Sequence, residues 1–196
     1  MCSYLITLAA NLLDTAQIRV GGLAARRYSE PMGLIERLRE LITGRPLIPR
    51  EPIAYRAIGV VRNRVRGPRP AGWEDVRSDI LLRDDLAPAL DAIEGFSHVI
   101  VVFHMDRVPE TERRLTLAVG NEEPPLQRGV LATRSQLRPN PIGVAVVPVL
   151  HRRKAVLRVR GLDAVDGTPV LDIKPYLPAY DAVPGATLPP WATVRE

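Results

Sequence analysis

The chain has 196 residues, a length that fits one domain, or one domain with an extension. Hydrophobic residues make up 46% and charged residues 25%, which excludes a wholly disordered or a fibrous protein. Lys and Arg total 27 against 22 Asp and Glu, a net charge of +5, and only Lys154 and Lys174 are lysines. Two explanations of this arginine excess stay open: an anionic partner, because guanidinium groups bind phosphate bidentately, or an arginine-biased proteome.

The cysteine and histidine content gives no indication of a metal site. Cys2 is the only cysteine, so no disulfide forms within the chain and we expect a reducing, cytoplasmic setting. His98, His104 and His151 lack the spacing of a zinc signature. We therefore expect no bound metal. The N-terminus is a poor signal peptide, and no apolar run is long enough to span a bilayer, so we do not expect a membrane protein.

The sequence predicts three parts. Residues 1–50 form an N-terminal extension with a helix over 31–43, which Ser29 caps and Gly44 ends, and a linker follows over 45–52. The main domain covers 51–182, and a Pro-rich tail covers 183–196. The extension has three possible origins: an upstream reading-frame artefact, a helix at a dimer interface, or a regulatory segment.

The main domain consists of short β-prone runs, each bounded by Gly, Pro, Asp or Asn. A short helix is predicted near 87–93, but no amphipathic helices alternate with the runs. This pattern favours a mainly β, antiparallel barrel or sandwich over a doubly wound parallel sheet. The predicted runs are 55–62, 76–82, 99–104, 114–119, 143–150 and 155–160.

The segment GVLATRSQLRPNPIG, residues 129–143, is a candidate binding loop. Pro139 and Pro141 fix φ on either side of Asn140 and exclude a helix, so the loop is stiff and extended. It presents Arg134, Arg138 and an amide at little entropic cost, which suits a polar or anionic ligand. A rigid turn with exposed arginines is the alternative.

The segment GLDAVDGTPVLDIKPYLPAY, residues 161–180, is the second candidate. After a turn at Asp166–Pro169, residues Asp172, Lys174 and Tyr176 alternate along an extended run, which places their side chains on one face. A structural salt bridge between Asp172 and Lys174 is the alternative. Two weaker signals are His104, at the end of a predicted strand, and the loop GPRPAG, which carries Arg69.

Together these segments resemble the TrmO family, also called the TsaA-like domain, over residues 53–180. The resemblance implies a single antiparallel β-barrel with short helices that works as a homodimer and uses S-adenosyl-L-methionine. It also implies N6-methylation of the threonylcarbamoyl-adenosine at position 37 of tRNA, beside the anticodon. Such a barrel is unrelated to Rossmann-like methyltransferases, which fits the absence of a G-x-G-x-x-G motif from the chain.

The resemblance also assigns residues to the cofactor site. The family's PRQ loop corresponds to 68–70, with Pro70 in place of the family's Gln. The other matching motifs are FH at the end of a core strand, ATRS, RPNPIG and DGTP. The cofactor-binding residues implied are Pro68, Arg69, Pro70, His104, Met105, Arg134, Ser135, Arg138, Asn140, Val144, Asp166, Gly167, Thr168 and Pro169.

For the chemistry, Asp172 is the first candidate for the base that accepts or orients the amine proton, and Asp166 the second. Lys174 and Tyr176 are candidates to tune that carboxylate or contact the base, and Asn140 to hold the adenine edge. Arginines that could follow tRNA phosphates are Arg62, Arg64, Arg66, Arg152, Arg153 and Arg158. Two other hypotheses are a methyltransferase for a different RNA or a small molecule, and a non-catalytic RNA-binding barrel.

Overall fold

The computed structural model describes residues 52–67, 69, 71–120 and 124–192, and all but the first two of these residues belong to a compact unit that begins at Ala54. The predicted helix over 31–43 and most of the linker lie outside the described residues. Eight strands are present in the described part. They are β1 (Gly59–Arg62), β2 (Arg77–Leu82), β3 (His98–His104), β4 (Thr116–Val119), β5 (Leu126–Gly129), β6 (Ile142–Arg153), β7 (Val156–Arg160) and β8 (Pro169–Pro175).

Six strands form a closed barrel in the order β1-β2-β7-β6-β3-β8, and every neighbouring pair is antiparallel. This confirms the predicted mainly β fold. Strand β3, HVIVVFH, shows why: its residues are alternately half-buried and buried, so one face points into the barrel. The interior is filled by aliphatic side chains and by Phe103, the one buried aromatic residue in the described ranges. The core therefore consists mainly of Val, Leu and Ile, as the low aromatic content of the chain requires.

Two strands lie outside the predicted runs. Strand β5 is only four residues long and pairs with β4 in a separate two-stranded sheet. Strand β8 begins and ends with proline, and its register against β3 shifts between Val102 and Phe103, which marks a β-bulge. The short helix predicted near 87–93 is instead a 3-10 helix over Asp84–Leu90, followed by a 3-10 turn over Ile93–Gly95. Pro88 lies inside the first of these and cannot donate a backbone hydrogen bond.

One end of the barrel gathers the loops that matter for function. The carboxyl ends of β1, β3 and β7 meet there, together with the amino ends of β2, β6 and β8. We call this the site end. Strand β7 pairs with β6 only from Val149 onward, so the first half of β6, at the site end, has no β7 partner.

The tail is described as far as Ala192. It contains a short α-helix, Pro178–Asp181, and a 3-10 turn, Pro190–Ala192. The guanidinium of Arg128 on β5 lies 5.4 Å from the ring centre of Trp191, within the range of a cation–π contact. Within the described ranges, no helix is both long and apolar enough to cross a membrane, and His, Cys, Asp and Glu nowhere group in the way that a metal ion requires.

Candidate active site

A cavity of about 520 Å³ opens at the site end of the barrel. This volume lies within the range of small-molecule sites, roughly 300–1,000 Å³. Four segments of the chain form its wall: the β1–β2 loop, the end of β3 with the residues that follow, the loop before β6, and the β7–β8 loop. The lining residues are Arg69, Trp73, Phe103, Met105, Asp106, Arg107, Val108, Arg134, Ser135, Gln136, Asp163, Ala164, Val165 and Thr168.

The β1–β2 loop contributes a guanidinium stacked on an indole ring. The guanidinium carbon of Arg69 lies 4.8 Å from the centre of the Trp73 ring. The Trp73 indole N–H donates to the carbonyl of Arg69 at 3.1 Å, and Arg69 in turn donates to the carbonyl of Gly72. Gly72 has a φ of +79°, a conformation that favours glycine. The loop therefore folds on itself and presents Arg69 and Trp73 as one unit, while Pro68 and Pro70 lie outside the described residues.

The loop before β6 is held by its own side chains. The hydroxyl of Thr133 accepts a bond from the Ser135 N–H at 3.2 Å, and the hydroxyl of Ser135 accepts one from the Leu137 N–H at 3.2 Å. Arg138 donates to the carbonyls of Ser135, at 2.9 Å, and Thr133, at 2.5 Å. Arg138 thus ties the loop together, and the prediction that this loop is stiff agrees with the geometry.

Arg134 reaches from this loop to the barrel wall. Its guanidinium donates to the carbonyl of Val144 at 2.7 Å, in the part of β6 that β7 does not pair with. Val144, Val102 and Asp172 are cross-strand partners on β6, β3 and β8. Two strand spacings, about 10 Å, therefore separate the Val144 and Asp172 backbones. The two candidate segments meet through this row of residues.

The β7–β8 loop brings a carboxyl group, that of Asp163, to the cavity that Arg134 also lines. Although Asp163 is exposed as a residue, partial burial of its carboxyl group raises its pKa, and its own backbone N–H and the positive charge of Arg134 oppose this shift only in part. The amide of Asn63 donates to the carbonyl of Ala164 at 2.8 Å and to the Ser78 hydroxyl at 3.0 Å, which fixes the loop to the barrel. The cavity therefore carries both charge signs.

Asp166 is buried, but it turns away from the cavity towards the β1–β2 loop. Its carboxylate accepts a bond from the Asn63 N–H at 3.1 Å, forms an ion pair with Arg66, and lies 3.6 Å from Arg62. Arg107, from the segment after β3, donates to the Asp166 carbonyl at 2.8 Å. Asp166 therefore joins three segments around the cavity.

Phe103 lines the cavity and packs against Gly143. They are cross-strand partners on β3 and β6, and an added methyl group on Gly143 would approach three atoms of the Phe103 ring to less than 3.0 Å. Glycine at this position leaves room for the ring. Met105, two residues after Phe103, lines the cavity and bonds through its N–H to the carbonyl of Pro141 at 2.8 Å.

The structure thus divides the residues predicted from sequence. Five line the cavity: Arg69, Met105, Arg134, Ser135 and Thr168. Gly167, with a φ of +88°, and Pro169 flank Thr168. Residues on the outer side of the barrel or its rim, rather than in the lining, are His104, Asn140, Val144, Asp172, Lys174 and Tyr176.

Asp172, Lys174 and Tyr176 follow one another along the outside of β8 and its end. The Asp172 carboxylate lies 2.5 Å from the Lys174 ammonium and also accepts a bond from the Ile173 N–H at 2.9 Å. The salt bridge considered from the sequence is therefore present. Tyr176 makes an edge contact with His98, with ring centres 6.4 Å apart.

Sequence reasoning missed several lining residues, among them Trp73, Asp106, Arg107 and Asp163. Trp73 was the easiest to find, because it is one of only two tryptophans and lies four residues after Arg69. Asp163 lies three residues before Asp166 in the same candidate segment. Asp106 and Arg107 stand in a loop with no pattern, and only the fold brings them to the cavity.

The fold and the cavity define a small antiparallel β-barrel whose ligand site is built from loops at one end. Residues 61–182 match the model of the tRNA-methyltransferase O N-terminal domain. The chain belongs to this family, which confirms the resemblance found in its motifs.

Individual relatives agree with this assignment. The chain is 42% identical over 130 residues to an S-adenosyl-L-methionine-binding protein of Archaeoglobus fulgidus, covering 64% of this chain and 91% of the relative. It is 41% identical over 105 residues to the tRNA (adenine(37)-N6)-methyltransferase of Escherichia coli, covering 52% of this chain and 45% of that enzyme. The crystal structure of TrmO from Pseudomonas aeruginosa superposes with a TM-score of 0.55 at 32% identity, covering 70% of this chain and 62% of that one. The chain therefore spans less than two thirds of the solved TrmO chain.

Proposed function

We propose that this protein is an S-adenosylmethionine-dependent methyltransferase that acts on tRNA. The observation that carries the proposal is the convergence of Arg69, Met105, Arg134, Ser135 and Thr168 on one cavity. These residues come from four separate segments, and the family motifs associate each of them with the cofactor. The names of the Archaeoglobus and Escherichia relatives support the same cofactor and the same class of reaction.

The chemistry of the cavity fits this cofactor. S-adenosylmethionine, when bound, supplies an electrophilic methyl group on a positively charged sulfur. Arg134 and Arg107 are suited to hold a carboxylate, because guanidinium groups bind carboxylates bidentately. The carboxyl groups of Asp163 and Asp106 suit an ammonium or sulfonium charge, and the Trp73 ring suits a purine.

The proposed acceptor is the exocyclic N6 of adenine 37, carrying a threonylcarbamoyl group, next to the anticodon. The lone pair of this nitrogen is delocalised into the ring and the carbamoyl group, so it is a weak nucleophile. The main task of the protein is therefore to align it, and alignment of this kind can supply about 7–11 kcal/mol of the barrier. An anticodon-loop base is reached without opening a duplex, which lowers the free-energy cost of access.

The carboxylates have different roles in this proposal. Asp166 is occupied by Asn63, Arg62 and Arg66, so it acts as a positioning residue that holds the cavity wall. Asp172 remains the proposed base, with Lys174 as its ion-pair partner and Tyr176 and Asn140 as contacts to the substrate base. Because these residues lie outside the cavity lining, Asp172 acts across a subunit interface.

A homodimer supplies that interface. The outer face of β6 alternates exposed apolar residues, with Ile142, Val144, Val146 and Leu150 between 40% and 51% exposed. Ile100 and Val102 of β3 extend this face to the Asp172–Lys174 pair on β8. Exposed apolar patches of this kind mark interaction surfaces. A second copy bound to this face brings its own residues towards Asp172 and Arg134. Because the proposed substrate is tRNA, the proposed location of the dimer is the cytoplasm.

The test uses the purified 196-residue protein, methyl-labelled S-adenosylmethionine and total tRNA from a strain lacking the gene. We expect label in tRNA, in a nucleoside that mass spectrometry identifies as the N6-methylated form of threonylcarbamoyl-adenosine. The Arg134→Met variant serves as the paired negative sample. If the label appears in another RNA or in a small molecule, that molecule is the acceptor in place of tRNA adenine 37. If calorimetry detects no S-adenosylmethionine binding, the remaining hypothesis is a non-catalytic RNA-binding barrel.

A further inference from the structure

The outer surface of the barrel differs between its two halves. The half formed by β6, β3 and β8 carries the apolar patch and the Asp172–Lys174 ion pair described above. The half formed by β1, β2 and β7 presents arginines at successive outward positions. We define the arginine face as Arg62 on β1, Arg77 on β2, and Arg158 and Arg160 on β7, with Asp79 the one acidic residue among them.

Asp79 neutralises only one of these four charges. Its carboxylate accepts two bonds from Arg158, at 2.6 Å and 2.7 Å, which also lowers the pKa of Asp79. Arg62 lies 3.6 Å from Asp166, which Arg66 already pairs with. The face as a whole keeps a positive charge.

Arg77 and Arg160 carry most of that charge. They are directly opposite each other on β2 and β7, and both are exposed. In the described part of the chain, no carboxylate oxygen lies within 4.0 Å of either guanidinium. Like charges directly opposite on neighbouring strands are destabilising. A bound polyanion would relieve this repulsion.

The position of the pair connects it to the cavity. Arg77 is the first residue of β2 and Arg160 the last residue of β7, so both stand at the site end. Arg77 follows the cavity residue Trp73 by four positions, and Arg160 precedes Asp163 by three. The backbone N–H of Gly161 donates to the Val76 carbonyl at 2.9 Å, which fixes the two arginines side by side at the cavity rim.

We propose that Arg77 and Arg160, flanked by Arg62, bind backbone phosphates of the RNA strand next to the base that enters the cavity. This inference rests on the proposed function and adds the surface on which the RNA lies. Besides Arg62, three of the arginines suggested by the sequence have other partners. Arg66 pairs with Asp166, Arg158 pairs with Asp79, and Arg152 lies 3.3 Å from Asp91 and 3.8 Å from Glu94. Arg153, the last residue of β6, stands at the opposite end of the barrel.

The test compares two double variants that remove the same charge. The first is R77S/R160S, and the matched control is R56S/R83S, which removes two exposed arginines at the other end of the barrel. Binding of unmodified tRNA is measured by filter retention between 50 mM and 200 mM salt, and S-adenosylmethionine binding is measured by calorimetry. All four positions are exposed, so we expect both variants to fold.

We expect R77S/R160S to bind tRNA at least about tenfold more weakly at 0.1 M salt, and to lower the slope of log affinity against log salt by about 1.4–1.8, the value for two lost phosphate contacts. S-adenosylmethionine affinity should not change. If wild-type protein methylates tRNA and R77S/R160S binds it as tightly and with the same slope, the arginine face is refuted and the proposed function stands. An equal loss in R56S/R83S refutes it too, since the effect is then one of net charge. Wild-type protein that neither binds nor methylates tRNA overturns both proposals.

Discussion

Replacing Gly143 with alanine tests the packing of the strand backbone against Phe103, a residue that lines the cavity. The added methyl group would come within 3.0 Å of three atoms of the Phe103 ring, which is itself buried. Inserting a methyl group into a well-packed core costs about 1–3 kcal/mol. The backbone of Gly143 is not left-handed, so the steric conflict alone decides the result.

Gly129→Ala is the matched control, because Gly129 also lies in a strand and an added methyl group there meets nothing within 4 Å. Both variants gain about 0.5–1 kcal/mol from replacing a strand glycine, so the conflict with Phe103 is their difference. We expect G143A to be less stable than G129A by about 1–3 kcal/mol, or about 2–12 °C in Tm for a chain of this size. Urea unfolding and calorimetry measure this difference.

A second measurement connects this packing to the site. Because Phe103 lines the cavity and Met105 follows it, a displaced ring should weaken S-adenosylmethionine binding in G143A and leave it unchanged in G129A. In the double variant F103L/G143A the smaller side chain makes room, so its stability loss should be less than the sum of the single losses. Equal stability of G143A and G129A, with additive double-variant energies, would refute the reasoning.

Three other predictions follow from the site. Arg134→Met should lower S-adenosylmethionine affinity by tenfold or more, on the order of 1.4 kcal/mol, while R134K should retain part of the wild-type affinity. Equal affinity of wild type, R134M and R134K in calorimetry would contradict the role of Arg134 in cofactor binding. The pKa of Asp163 is raised above its ordinary value near 3.9, so affinity should fall as pH drops through the raised value and the carboxylate is lost, whereas D163N shows a flat profile. Val146→Asp, at an exposed centre of the apolar face, should convert the proposed dimer to a monomer in sedimentation, and a wild-type monomer would remove the interface from the proposal.

The sequence was most informative where local pattern and long-range structure agree. The runs at 76–82 and 99–104 alternate buried and half-buried residues, and both became barrel strands. Strand β5, LQRG, is too short to show any alternation, and β8 is bounded by prolines that usually indicate a loop. The absence of helices between the runs, which is a property of the whole segment, left a barrel or a sandwich open, and the resemblance to the TrmO family singled out the barrel.

Side-chain roles were harder to predict than strands. The segment around Asp166 was identified, but its partners Arg66 and Asn63 lie about 100 positions away along the chain, and no local pattern shows whether a carboxylate is free or paired. The same limit applies to Arg158, whose partner Asp79 lies 79 positions away along the chain. Trp73 and Arg107 reach the cavity through loop folding alone. Sequence therefore located the segments of the site, while the pairing of charges required the fold.

The bond from Arg134 to Val144 has a consequence for the solution behaviour of the protein. Since β7 leaves β6 at Val149, the start of β6 would be a bare strand edge, and bare edges recruit strands of other molecules into aggregates. The Arg134 guanidinium covers that edge at the carbonyl of Val144. One side chain thus blocks unwanted β-pairing and also lines the cavity. Replacement of Arg134 would therefore remove a cavity residue and at the same time leave an aggregation-prone strand edge, unless another residue covered that edge.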